Sequence, residues 1–163
     1  METTRQIRMA AAWPWISTGA RFGLAAVWLV AGSFKVGDLA DSARAVHAYQ
    51  LMSYDTAKIV GAVQPFLEIA LGLLLLIGLA TRFTAAISAV LITVFIAGIV
   101  WAWTQGLRID CGCFSTGGEL GAGETPGYAV DILRDLAFLA LSGILVWRPR
   151  TRFSVDGVLM GEQ

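Results

Sequence analysis

Charge is scarce in this sequence. Only 15% of its 163 residues are Asp, Glu, Lys or Arg, and the two signs cancel at twelve each. With no basic surplus and no basic cluster interleaved with aromatics, the chain lacks the electrostatic footprint of a nucleic-acid binder, and that partner is set aside. Histidine occurs once and cysteine twice. Two cysteines are too few to relay electrons across a membrane through successive dithiols, so any redox chemistry here must hand its electrons to something else. What fills the sequence instead is apolar: 56% of residues are hydrophobic and the mean hydropathy is +0.68, above the range of a soluble globule. Membrane lipid is the expected surrounding of a single domain spanning residues 1–163.

A hydrocarbon layer of about 30 Å is crossed by about 20 apolar helical residues. Four runs of that length occur, at about 15–36, 57–79, 83–104 and 128–147, and they predict an all-α integral membrane protein, a four-helix transmembrane bundle. Arg5 and Arg8 precede the first run and Val30-Ala31-Gly32-Ser33 resembles a signal-peptidase site. Arg21 interrupts that run, so an uncleaved first helix is the simpler reading. The second and third runs are separated only by Ala80-Thr81-Arg82, which forces an antiparallel hairpin. Residues 37–56 and 105–127 then share the opposite face.

Lys and Arg counts orient the bundle. Arg5, Arg8, Arg21, Arg82, Arg148, Arg150 and Arg152 fall on the face carrying both termini, against Lys35, Arg44, Lys58, Arg108 and Arg134 on the other. The excess places both termini in the cytoplasm and the long loops outside a bacterial inner membrane. Trp13, Trp15, Trp101, Trp103 and Trp147 lie near span ends, as an interfacial aromatic belt would. Gly32, Gly72, Gly78 and Gly98 lie within spans, where small residues let helices pack closely.

Glu68 sits well inside the second span, where an unpaired carboxylate costs several kcal/mol. It needs a cation, and Lys35 at the end of the first span and Arg134 early in the fourth are the two available. One reading is a structural ion pair with Lys35 snorkelling to the interface. The other makes Glu68 a proton acceptor or a quinone ligand.

Cys111 and Cys113 stand in Asp110-Cys111-Gly112-Cys113-Phe114, just beyond the third span. A disulfide across so small a ring is a weak staple, about 1.6 kcal/mol by loop entropy before strain is subtracted. Strained, exposed disulfides exchange readily, and Gly112 leaves the ring open to an incoming thiol. Arg108 favours a thiolate and Asp110 disfavours one, which leaves the attacking cysteine undecided. A zinc site built from both cysteines, His47 and Asp110 or Glu119 would lack the second close-spaced ligand pair that such sites normally have.

In order along the chain, Arg21, Ala31-Gly32-x-x-Lys35, Tyr49, Pro65-x-x-Glu68-x-x-x-Gly72, Gly78-Leu79-x-Thr81-Arg82, the Asp110–Phe114 string and Arg134-Asp135 resemble the MauE family of methylamine-utilisation membrane proteins, within a wider DoxX-like group. Ser115, where that family usually has Gly, and Asp135, where it often has Asn, depart from the pattern. The resemblance implies a redox-associated membrane protein, a thiol-disulfide oxidoreductase component, linked to a thioredoxin-like extracytoplasmic partner and to maturation of an exported enzyme. In this reading Cys111 and Cys113 are catalytic, supported by Asp110, Gly112, Phe114, Glu68, Lys35 and Arg134, with a quinone as the alternative electron acceptor. Two rivals stand beside it. One is a non-catalytic subunit or anchor of a larger membrane complex, and the other is a transporter built on Glu68 and Pro65.

Overall fold

The computed structural model describes residues 2–112, 115 and 117–159, with side chains from residue 12 onward. Cys113 and Phe114 lie outside the described residues. Four long helices dominate: α1 (Glu2–Val36), α3 (Tyr54–Ile77), α4 (Thr81–Thr104) and α5 (Tyr128–Trp147). Shorter elements connect them: α2 (Leu39–Ala48), the strands β1 (Ile109–Asp110) and β2 (Gly118–Glu119), and α6 (Val155–Leu159).

Among the described residues three helical stretches, Ala12–Val36, Tyr54–Ile77 and Thr81–Thr104, are long and apolar enough to cross a membrane. Helix α5 has the limits expected of the fourth run, but Asp131, Arg134 and Asp135 crowd its first turns and keep it outside that set. Ile59, Val63 and Phe66 on α3 and Phe83, Val90 and Val94 on α4 are exposed. Such apolar outer faces belong against lipid.

Helix α1 packs on α3 and α5, and α4 packs on α5 and α3. The core between them holds Leu24, Ala25, Trp28, Leu71, Leu75, Ala85, Ile92 and Leu145. The indole of Trp28 donates to Ser88 Oγ at 2.9 Å, which satisfies its one polar atom inside that core. Contact between α1 and α3 is close because of glycine: a Cβ on Gly32 would stand 2.7 Å from Ile69 Cγ1 and 2.9 Å from the Pro65 carbonyl.

The α3–α4 hairpin forms as its length demands, and Gly78 does more there than permit packing. It ends α3 in the left-handed region (φ 70°), which lets its N–H reach back to the carbonyls of Leu74 and Leu75. Arg21, fully buried, then donates to the carbonyls of Leu75 at 2.9 Å and Leu76 at 3.0 Å, and to those of Arg152 and Phe153 at 3.1 and 3.0 Å. A guanidinium at a helix C-terminus satisfies orphan carbonyls and complements the dipole. Asp156 treats the start of α4 in the same way, accepting from the N–H groups of Ala80 and Thr81 at 2.7 and 2.8 Å. The C-terminal segment is thereby fastened to the hairpin end.

At the other end the long connections carry structure that hydropathy does not reveal. Helix α2 lies within residues 37–56, N-capped by the Asp38 carboxylate on the Asp41 N–H at 2.9 Å. It rests on α3, where a Cβ on Gly61 would fall 2.7 Å from the Ala43 backbone. Strands β1 and β2 pair antiparallel, Ile109 opposite Glu119 and Asp110 opposite Gly118.

Candidate functional site

The cysteine loop is held from three directions. Tyr128, at the start of α5, donates its hydroxyl to the Leu107 carbonyl at 2.6 Å and accepts from the Ile109 N–H at 3.2 Å. Tyr49, just past α2, donates to the Cys111 carbonyl at 3.1 Å. Within the loop, Asp110 Oδ1 accepts from the Gly112 N–H at 2.8 Å and from the Ser115 hydroxyl at 2.7 Å. Such a local carboxylate-to-backbone bond fixes a tight turn, and Gly112 meets it with φ 69°. Ser115 therefore has a use: its hydroxyl ties the far side of the turn back to Asp110.

Cys111 is half-buried, and its sulfur lies 3.5 Å from Arg134 Nη2. The guanidinium is aimed by two carboxylates of its own helix, Asp131 Oδ1 at 2.9 Å from Nη1 and Asp135 Oδ1 at 3.1 Å from both Nε and Nη2. A fixed cation beside a sulfur favours the thiolate. The loop's own arginine does not take that position: Arg108 donates to the Glu124 carbonyl. Proximity in sequence pointed to Arg108, whereas the turn through Asp110 directs the sulfur toward α5.

Glu68 has its cation. Lys35 Nζ stands 2.6 Å from Glu68 Oε1, and both side chains are buried, at 9% and 1% exposure. Gln64, one turn earlier on α3, donates to the same oxygen at 2.9 Å. Glu68 Oε2 is buried with no hydrogen-bond partner among the described residues. Of the two cations available to Glu68, only Lys35 closes on it, and Arg134 is engaged at the cysteine.

A cavity of about 150 Å³ joins these two groups. Cys111, Gly112, Lys35 and Gln64 all line it, and Tyr49 and Phe95 form part of the wall. His47, the one histidine, stacks edge-on against Tyr54 at 5.4 Å between ring centroids. Among the described residues no three His, Cys, Asp or Glu side chains gather as a metal would require.

Lys35, Glu68, the cysteine loop and Arg134 all fall inside a longer match. Residues 13–148 match the family described as methylamine utilisation protein MauE. The chain belongs to the MauE family. It is a membrane protein of that family, in contact with lipid, and the match runs from Trp13 in α1 to Arg148 at the end of α5. No match is found among curated proteins or among solved structures. The MauE match embraces every residue that lines the cavity, whereas the clamp formed by residues 152–156 lies beyond it.

Three contributors to the site carried little signal in the sequence. Tyr128 and Gln64 look like ordinary helix residues, and Asp131 looks like an N-terminal dipole partner. Only the packing of α5 against the loop, and of α3 against α1, shows what each one holds.

Proposed function

We propose that this MauE-family protein is the membrane component of an extracytoplasmic thiol-disulfide exchange system, working with a thioredoxin-like partner to mature an exported enzyme. In this proposal α5 is a fourth span, both termini are cytoplasmic, and the cysteine loop faces the oxidising side of a bacterial inner membrane. Its three charged residues are tolerable in a span because Arg134 is paired to Asp131 and Asp135 at the loop end.

The observation that carries the proposal is the Arg134 guanidinium at the Cys111 sulfur. A sulfur whose negative charge is stabilised is the better leaving group in exchange. When the Cys111–Cys113 disulfide oxidises a partner dithiol, a partner thiolate attacks Cys113 and Cys111 leaves as thiolate beside Arg134. The second partner thiol then attacks the mixed disulfide and Cys113 departs. The partner gains one disulfide, and this chain holds two thiols and two electrons.

The test is trapping in cells. Cys111→Ser should accumulate a reducible adduct between Cys113 and a thioredoxin-fold protein, visible on non-reducing gels. Full maturation of the exported enzyme by the Cys111→Ser/Cys113→Ser variant would overturn the proposal and leave the subunit or anchor reading.

A further inference from the structure

We infer that the cavity beneath Cys111 is a binding site for the ring of a lipid-soluble quinone, which takes the electrons from the reduced cysteine pair. The inference rests on the thiol-exchange reading for its chemistry, and on the cavity for its geometry. Two reduced cysteines must be reoxidised, and the sequence has no third cysteine to receive the electrons. The acceptor therefore comes from outside the chain and reaches Cys111.

The cavity suits such an acceptor in four respects. Its volume of about 150 Å³ matches that of an apolar protein cavity able to hold a benzene-sized ring. Its wall includes the aromatic side chains of Tyr49 and Phe95, flat surfaces against which a planar ring packs. Leu51, Val60 and Val94 also line it and are exposed apolar residues on the outer surface, so the entrance lies among side chains that face lipid, where a prenyl tail would remain. The mostly apolar lining also carries hydrogen-bonding groups, Lys35 and Gln64 among them. Lys35 Nζ has three N–H donors and, among the described residues, makes one hydrogen bond, to Glu68. The remaining donors suit a quinone carbonyl oxygen.

An acyl chain would have no use for that buried ammonium, and Phe95, Val60 and Val94 give the cavity an apolar wall that suits a ring better than water alone. A ring with a carbonyl at each end accounts for both features: one oxygen meets Lys35 and the opposite edge lies toward Cys111. The reaction balances without a further reagent. Two S–H bonds of Cys111 and Cys113 break, one S–S bond forms, and two electrons and two protons convert the quinone to its quinol. Glu68, whose Oε2 is buried and unpartnered among the described residues, acts through Lys35 as a positioning residue.

The test uses the full chain in lipid nanodiscs with decylubiquinone, read first as saturable quenching of tryptophan fluorescence in the Cys111→Ser variant, which cannot turn over. Binding there is expected to equal that of the wild type. Gly98→Leu places a side chain toward Tyr49, whose ring lies 3.4 Å from a Cβ at that position, and fills the cavity. It should weaken binding about tenfold or more, and Lys35→Met about tenfold, while the thiols of Gly98→Leu remain as reactive toward a water-soluble disulfide as those of the wild type. Equal binding of decylubiquinone and decanol would overturn the inference in favour of a lipid cleft. Unchanged quinone binding in Gly98→Leu would overturn it as well. Normal quinone binding, with enzyme maturation intact when both cysteines are serine, would sink the thiol-exchange reading and leave the site standing.

Discussion

Arg134 and Cys111 are 23 residues apart in the chain, yet Nη2 of the first lies 3.5 Å from Sγ of the second. The contact exists because Tyr128 pins the loop to the start of α5, and because Asp131 and Asp135 hold the guanidinium in one orientation. Arg134→Gln keeps hydrogen-bonding capacity and removes the charge. It should slow alkylation of Cys111 at neutral pH by on the order of tenfold, while Arg108→Gln leaves it unchanged. Equal rates in all three proteins would show that Arg134 does not stabilise the thiolate.

The buried Lys35–Glu68 pair makes an asymmetric prediction. Removing one partner strands the other, so Lys35→Met or Glu68→Leu alone should each destabilise the protein by about 3–5 kcal/mol, and the double replacement should recover most of that loss. Thermal unfolding in detergent, followed by the fraction remaining monodisperse, measures it. Additive losses in the double variant would contradict the pairing.

Close packing of α1 on α3 can be tested by size. Gly32→Leu drives a side chain into Ile69 and the Pro65 carbonyl, whereas a Cβ on Gly19 of the same helix meets nothing within 4 Å. The first variant should lose several kcal/mol or fail to accumulate, and Gly19→Leu should behave as wild type. Equal accumulation of the two would refute the contact.

Asp156 caps α4 from a segment that follows all four long helices. Asp156→Ala should cost about 1 kcal/mol and expose Arg150 and Arg152 to trypsin in inside-out vesicles before the rest of the chain is cut. Resistance equal to wild type would mean that Arg21 holds the segment unaided.

Topology has its own measurement. On the proposed orientation a membrane-impermeant maleimide added to intact spheroplasts after mild reduction should label Cys111. Labelling only after the membrane is opened would invert the orientation.

Much of the helical frame is legible in one dimension because its causes are local or additive. Apolar runs of spanning length locate α3, α4 and α5 and the C-terminal end of α1 to within a few residues, whereas α1 itself begins well before its run, at Glu2; a three-residue gap leaves α3 and α4 no option but a hairpin. The need for a cation at Glu68 follows from the cost of a bare carboxylate among apolar side chains. Helix α2 escapes the same reasoning. Its ten residues are too short and too polar for a hydropathy signal, and its stability comes from packing on Gly61 and from the Asp38 cap.

The sequence alone determined that this chain lives in lipid, that Glu68 must be paired, and that both of its cysteines fall in one short loop. Those conclusions depend on composition, spacing and the energy of charge in an apolar medium, none of which requires knowing where one helix sits relative to another. Only the tertiary structure decided that Lys35 and not Arg134 meets Glu68, that Arg134 and not Arg108 meets Cys111, that Arg21 is a cap for α3, and that a cavity joins the ion pair to the sulfur. Each of these depends on the rotation and register of packed helices, which are set by many weak contacts acting together and leave no motif in the chain.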